Sequence, residues 1–120
     1  MSTVEFRAWD IKRKEMIYID DLYFFEQEGI HEIIDGIAKG HHAEYKVMQY
    51  IGRKDKYGKK IFEKDIVEYN GWFYIIKWDK EDAGFYMHDK NNDEDDHLRT
   101  IDISVGEVMG NIYENQNLIK

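Results

Sequence analysis

The sequence predicts a mainly β protein, and three observations predict it. Apolar and polar residues alternate over much of the chain, which is the two-residue period of a strand. Turn-forming residues interrupt this alternation about every ten residues, as they do in small β sandwiches and barrels. The 120 residues, of which 42% are hydrophobic and 15% aromatic, suffice for a single domain with its own core.

Residues 1–46 are predicted to form an N-terminal β-hairpin region. Alternation over residues 4–9 gives a first strand, and the polar residues 10–14 give a turn. The apolar stretch at residues 16–19 completes the hairpin. The aromatic run at residues 22–25 predicts a third strand.

Residues 30–39 carry two patterns at once. Four isoleucines lie at the i, i+3, i+4 and i+7 positions of one helical face. Gly36 interrupts this face, and β-branched side chains also suit a strand. From the isoleucine spacing we predict a short helical insert here.

Residues 47–120 are predicted to form an SH3-like small barrel. Residues 65–69 and 72–78 read as two strands, and Asn70-Gly71 between them is a strong hairpin signal because both residues tolerate positive φ. Further strands are predicted at residues 45–51, 85–88, 98–103 and 105–113. The tryptophans of this region, Trp72 and Trp78, are expected in the core rather than on a surface that stacks nucleic-acid bases.

Composition narrows the function classes. The net charge of −8 argues against generic nucleic-acid binding, and the absence of cysteine excludes disulfides, thiol nucleophiles and thiolate metal sites. No signal peptide or apolar run of membrane-spanning length is present, so we expect a cytoplasmic protein. No phosphate-binding loop, nucleophile elbow or metal-ligand spacing is found, so we expect neither an enzyme nor a cofactor.

The charges are unevenly distributed. Residues 52–64 carry a net charge of +4, and residues 79–102 carry −6. Charged loops keep sheet edges from pairing, but opposite patches also steer assembly of one copy with another. The candidate interaction residues are Arg53, Lys54, Lys56, Lys59, Lys60 and Lys64, together with Asp93, Glu94, Asp95 and Asp96.

The acidic residues 89–95 partly match the pattern of a calcium-binding loop. Residues 89–95 place oxygen-bearing side chains at positions 1, 3, 5 and 7 of a calcium loop. However, Glu94 and Thr100 replace the glycine and glutamate that such a loop requires. A solvated loop is therefore the favoured interpretation.

Three segments resemble one protein family. They are residues 6–10 (FRAWD), 48–67 (MQYIGRKDKYGKKIFEKDIV) and 108–115 (VMGNIYEN). In order and spacing they resemble the YopX family, small proteins of phages and prophages of Gram-positive bacteria. The resemblance implies a mostly β fold and offers no enzymatic activity or cofactor. Lys64 departs from the family pattern, which usually has glycine before Asp-Ile-Val, and this predicts a turn that is built differently.

The leading hypothesis is a non-enzymatic phage accessory protein that binds an unknown host or phage protein and forms a homo-oligomer. It would act in the cytoplasm of an infected or lysogenic host, with no role for a membrane. One alternative is nucleic-acid binding through the basic loop at residues 53–64 and neighbouring aromatics. Another is DNA mimicry by the acidic residues 89–96.

Overall fold

The chain folds into two compact units, residues 1–50 and residues 51–120. Every strand pair with a determined register is antiparallel, so the prediction of a mainly β protein is confirmed. Within the residues described below, no helix is long and apolar enough to cross a membrane. The computed structural model describes residues 5–19, 26–30, 32–34, 36–40, 43–81, 83–90, 94–98 and 101–119.

The first unit is built on a sheet with the strand order β2-β1-β5-β4-β3. One face of this sheet carries its core, in which Ala8, Ile19, Ala38 and Tyr45 are buried. The predicted third strand at residues 22–25 lies outside the described residues. The strands are β1 (Phe6–Asp10), β2 (Glu15–Ile19), β3 (Glu32–Ile34), β4 (Ile37–Lys39) and β5 (Glu44–Lys54).

The predicted first hairpin is confirmed, and Asp10 organises its turn. The Asp10 carboxylate accepts hydrogen bonds from the backbone N–H groups of Lys12 and Arg13, both at 3.0 Å. Aspartate at the start of a turn is favoured because its short side chain satisfies these N–H groups. The polar stretch after β1 therefore turns the chain directly into β2.

The prediction of a short helix at residues 30–39 is wrong. Strands β3 and β4 form a hairpin there, with Ile34 opposite Ile37. Gly36 has a φ of +78°, the left-handed conformation that a tight turn uses and a helix interior does not. Strand β4 also pairs with β5, placing Ala38 opposite Tyr45, and this pairing outweighs the helical spacing of the isoleucines.

The second unit contains a five-stranded sheet with the order β10-β9-β8-β7-β11, and β6 pairs with β5. Val67, Ile76, Met87 and Val108 are buried together in the core of this unit. The strands are β6 (Lys60–Phe62), β7 (Asp65–Tyr69), β8 (Trp72–Asp79), β9 (Gly84–Asp89), β10 (Glu94–His97) and β11 (Glu107–Asn111).

The hairpin predicted at Asn70-Gly71 is confirmed, with φ values of +51° and +84° that fit a type I′ turn. The SH3-like barrel is not confirmed, because no described pairing joins β10 to β11 and the sheet stays open. The predicted strand at residues 98–103 is also not found, since the described part of this segment contributes Ile103 to a short 3-10 helix, Ile103–Val105.

Lys64 forms the turn between β6 and β7 in a left-handed conformation, with a φ of +68°. Its N–H donates to the Ile76 carbonyl at 2.7 Å, and its carbonyl accepts from the Ile112 N–H at 3.1 Å. Asp65 closes the turn by accepting a hydrogen bond from the Phe62 N–H at 2.8 Å. The lysine thus keeps the backbone geometry that glycine adopts without strain.

Replacing Lys64 with glycine should therefore stabilise the fold relative to alanine at the same position. A left-handed conformation costs a residue with a Cβ about 1–2 kcal/mol, and glycine avoids this cost. Part of the advantage of glycine is lost because glycine also has more conformational freedom in the unfolded chain. We expect Lys64→Gly to exceed Lys64→Ala by about 1 kcal/mol in free energy of unfolding, measured by urea denaturation. Equal stability of the two variants would contradict a strained turn.

Candidate functional site

The basic loop, residues 53–64, is organised around the buried carboxylate of Asp55, which is 6% exposed. One carboxylate oxygen accepts hydrogen bonds from the backbone N–H groups of Tyr57 and Lys59, both at 2.9 Å. The other accepts from the N–H of Val108, also at 2.9 Å. A single side chain therefore fixes the loop and attaches it to β11.

The three backbone donors also determine the ionisation of this group. Burial alone would raise the pKa of Asp55, but the hydrogen bonds from Val108, Lys59 and Tyr57 outweigh it and lower the pKa. The carboxylate is thus held in its charged form. A further backbone bond, from Lys56 N–H to the carbonyl of Gly106 at 2.9 Å, attaches the loop to the residue that precedes β11.

The loop presents a surface that we name the basic platform, and its members are Lys54, Lys56, Tyr57, Lys59 and Lys60. All five side chains are exposed, Tyr57 to 73%. The Lys56 ammonium lies 5.2 Å from the centroid of the Tyr57 ring and 3.7 Å from a carboxylate oxygen of Glu107. The platform therefore combines exposed positive charge with one exposed aromatic ring.

Two of the predicted interaction residues lie elsewhere. The Arg53 guanidinium donates to the carbonyls of Leu98 and Ile101, at 3.1 and 3.3 Å, so it supports the fold of the second unit. Lys64 lines a cavity described below. Of the predicted basic residues, four lysines therefore belong to the basic platform, whereas Arg53 and Lys64 do not.

The acidic candidates lie on β10, which is an edge strand. Glu94, Asp95 and Asp96 are exposed, and Asp93 lies outside the described residues. Strand alternation sends Asp95 to the opposite face from its neighbours, where its carboxylate oxygen lies 2.7 Å from His88 Nδ1. Charges on an edge strand block pairing with other chains, and Glu94 and Asp96 are placed for that role.

The calcium-loop pattern does not produce a site in the part of the chain that the structure describes. Asp95 belongs to a strand, and no group of three acidic or histidine side chains there could hold a metal ion. Two positions of the pattern, Asn91 and Asp93, lie outside the described residues.

The expectation that Trp72 and Trp78 lie in the core is wrong, since they are 55% and 42% exposed. Both lie near the ends of β8, whereas Ile75 and Ile76 at its centre are buried. The Trp78 ring packs edge-on against Phe85, with 4.8 Å between ring centroids. The buried cluster of this unit is instead mostly aliphatic, with Tyr69, Tyr74 and Phe85 packed against it.

A cavity of about 550 Å³ was not predicted from the sequence. It lies in the second unit, on the sheet face that carries Ile75 opposite His88. Strand alternation in the sequence places Lys77 on the same face as Ile75. No sequence pattern indicates that the C-terminal segment runs over this face. The cavity is lined by Lys64, Ile75, Lys77, His88, Lys90, Ile112, Gln116 and Ile119.

Two asparagines hold the C-terminal turn that carries Ile112 and Gln116 to the cavity. The Asn111 side-chain oxygen accepts hydrogen bonds from the N–H groups of Tyr113 and Glu114, at 3.0 and 2.9 Å. The Asn111 N–H donates to the Asn115 side chain at 3.1 Å. Gly110 is required beside them because a Cβ at that position would collide with the Asn115 side chain.

Two antiparallel sheets, a loop fixed by one buried carboxylate and an asparagine-built C-terminal turn define a class of small β proteins. The family model for the YopX protein matches residues 5–120, so this chain belongs to the YopX family. None of the curated proteins matches the chain.

Two solved structures are similar over 100% of this chain and 100% of their own. One is protein EF1440 from Enterococcus faecalis, at 22% identity with a TM-score of 0.59. The other is the YopX protein from Bacillus subtilis, at 20% identity with a TM-score of 0.57. These likenesses show the fold.

Replacing Asp55 with asparagine should destabilise the second unit. Asparagine keeps the size but loses the charge, and its NH₂ group faces a backbone donor. We expect the free energy of unfolding to fall by about 2 kcal/mol at pH 7, measured by urea denaturation. Because the folded-state pKa is lowered, the contribution of Asp55 is present above about pH 4 and is lost as the pH falls through that lowered value.

The difference between wild type and the Asp55→Asn variant should accordingly narrow in acid. Asp102→Asn is the matched control, because Asp102 also accepts a backbone hydrogen bond, from Ser104, but is exposed. An equal loss of stability in both variants, or a difference that is independent of pH, would argue against the role given to Asp55.

Proposed function

We propose that this protein is a non-enzymatic accessory protein of a phage or prophage that binds another protein in the cytoplasm of its bacterial host. The observation that carries the proposal is the basic platform, an exposed cationic surface on an ordered backbone, in a chain with a net charge of −8. Its complement is a partner with an acidic surface.

The rigidity of the platform supports a binding role. A loop that is already ordered loses less conformational entropy on association than a flexible one. Asp55 and the Lys56 backbone bond hold the loop on β11, so the backbone beneath the lysines is ordered in advance. Tyr57 adds an aromatic side chain, the residue type that often provides a large share of binding energy at protein interfaces.

A second copy of this chain is one partner with the required charge. Its edge strand β10 presents Glu94 and Asp96 on one face, so the acidic strand of one copy complements the basic platform of another. The proposed homo-oligomer rests on this complementarity, and an acidic host or phage protein would use the same surface.

Nucleic acid is the second candidate partner. An exposed aromatic ring flanked by lysines is the arrangement on which single-stranded bases stack, and Tyr57 with Lys56 provides one such ring. The overall negative charge opposes this binding at a distance. Nuclease treatment and salt dependence separate the two candidates.

Reversing three charges of the platform should abolish partner binding. Lys54→Glu, Lys59→Glu and Lys60→Glu change exposed side chains and leave Asp55 in place. We expect the tagged triple variant to lose a stoichiometric protein that wild type captures from host lysate after nuclease treatment, as read by mass spectrometry. Reversed charges at one interface cost several kcal/mol, which corresponds to a loss beyond detection.

The matched control reverses three exposed lysines outside the platform, at positions 12, 39 and 80. It changes the net charge equally and should keep the partner. Loss of the protein in both triple variants would contradict a specific platform. Prey that disappear with nuclease would instead indicate nucleic acid, and a steep fall of affinity with salt would accompany it.

Self-association provides a separate prediction. Glu94→Lys with Asp96→Lys reverses the acidic strand, and the triple variant reverses the platform. We expect wild type to associate at low salt, each variant alone to be monomeric, and an equimolar mixture of the two variants to associate again. Sedimentation velocity measures all four samples. A monomeric wild type at every salt concentration would refute the homo-oligomer.

A further inference from the structure

The cavity on the second unit concentrates positive charge on an acidic molecule. Among the described residues that line it are three lysines and a histidine, together with three isoleucines and one glutamine. Its volume of about 550 Å³ lies within the range of small-molecule sites, which is roughly 300–1,000 Å³. Isoleucine supplies the apolar part of the lining and the lysines supply the charge.

Several contacts fix the walls in advance. The Lys64 backbone is bonded on both sides, to Ile76 and to Ile112, so the turn that carries its side chain cannot shift freely. His88 Nδ1 lies 2.7 Å from the Asp95 carboxylate, which orients the imidazole ring. Ile75, opposite His88 in the sheet, is almost fully buried.

We infer that this cavity binds a small organic phosphate. Lys64, Lys77 and Lys90 bring three positive charges to the lining of one space, and Asp95, which contacts His88, offsets one of them. An anion with close to two charges and several acceptor oxygens balances the remaining charge better than a single carboxylate. Lysine is a common point-charge partner of phosphate. The isoleucines Ile75, Ile112 and Ile119 then contact the organic part of the ligand.

This site is separate from the basic platform. None of the platform residues lines the cavity, and the lining residues Lys77, His88 and Lys90 belong to the β8–β9 part of the sheet and the residue that follows it. The inference therefore stands whether or not the platform binds a protein.

The test is a titration of the whole ¹⁵N-labelled chain with n-hexyl phosphate, followed by amide chemical shifts. Inorganic phosphate and hexanol represent the two halves of the probe. We expect hexyl phosphate to bind more tightly than either and to shift the amides of Lys77, His88, Ile112 and Gln116. Lys77→Gln and Lys90→Gln should each weaken hexyl phosphate about tenfold, as expected for the loss of one charge-assisted hydrogen bond.

Two further variants locate the site. Lys54→Gln removes the same charge from the platform and should leave the affinity unchanged. Ile119→Gln should weaken hexyl phosphate while leaving inorganic phosphate unaffected. The inference is overturned if Lys54→Gln weakens binding as much as Lys77→Gln, if the shifts fall on the residues of the basic platform, or if hexyl phosphate causes no shifts at millimolar concentration.

Discussion

The second unit depends on one buried carboxylate. Asp55 accepts three backbone hydrogen bonds, two from its own loop and one from Val108 on β11. Without the charged acceptor, three buried or half-buried N–H groups would lose their partner at once, and each such loss costs about 1–3 kcal/mol. The same bonds that hold the sheet edge also determine where the lysines of the basic platform stand.

The open five-stranded sheet protects its two edges by different means. At β11, side chains occupy backbone donors, since Asp55 takes the Val108 N–H and Asn115 takes the Asn111 N–H. At β10, three consecutive acidic residues make pairing with another strand unfavourable. An SH3-like barrel would have removed both edges by closure. The acidic segment and the Asp55 loop thus each prevent an exposed sheet edge from pairing with another strand.

Local chemistry in the sequence was sufficient to predict the hairpins and insufficient to predict the cavity. Asn70-Gly71 and the Asp10 turn are each set by a few residues, so their turns could be read directly. The isoleucine spacing at residues 30–39 was misleading, because pairing of β4 with β5 decides that segment. The cavity requires the C-terminal segment to reach the face of β8 and β9, a tertiary contact that no local pattern records.

The segments that resemble the family serve mainly to shape the backbone. Asp55 and Asp65 accept backbone N–H groups, and Gly110 makes room for Asn115. Both carboxylates are buried and bonded to the backbone, so these two side chains serve the fold.

The side chains available for binding are therefore those that the fold exposes on its surface or in the cavity. The platform lysines lie within a matched segment, whereas Lys77, His88 and Lys90 lie outside all three. Chains with the same backbone-fixing residues would share the shape of the cavity wall. Whether a given chain binds an organic phosphate, as proposed for this one, depends on the residues at those three positions. Membership of the family therefore does not determine the ligand.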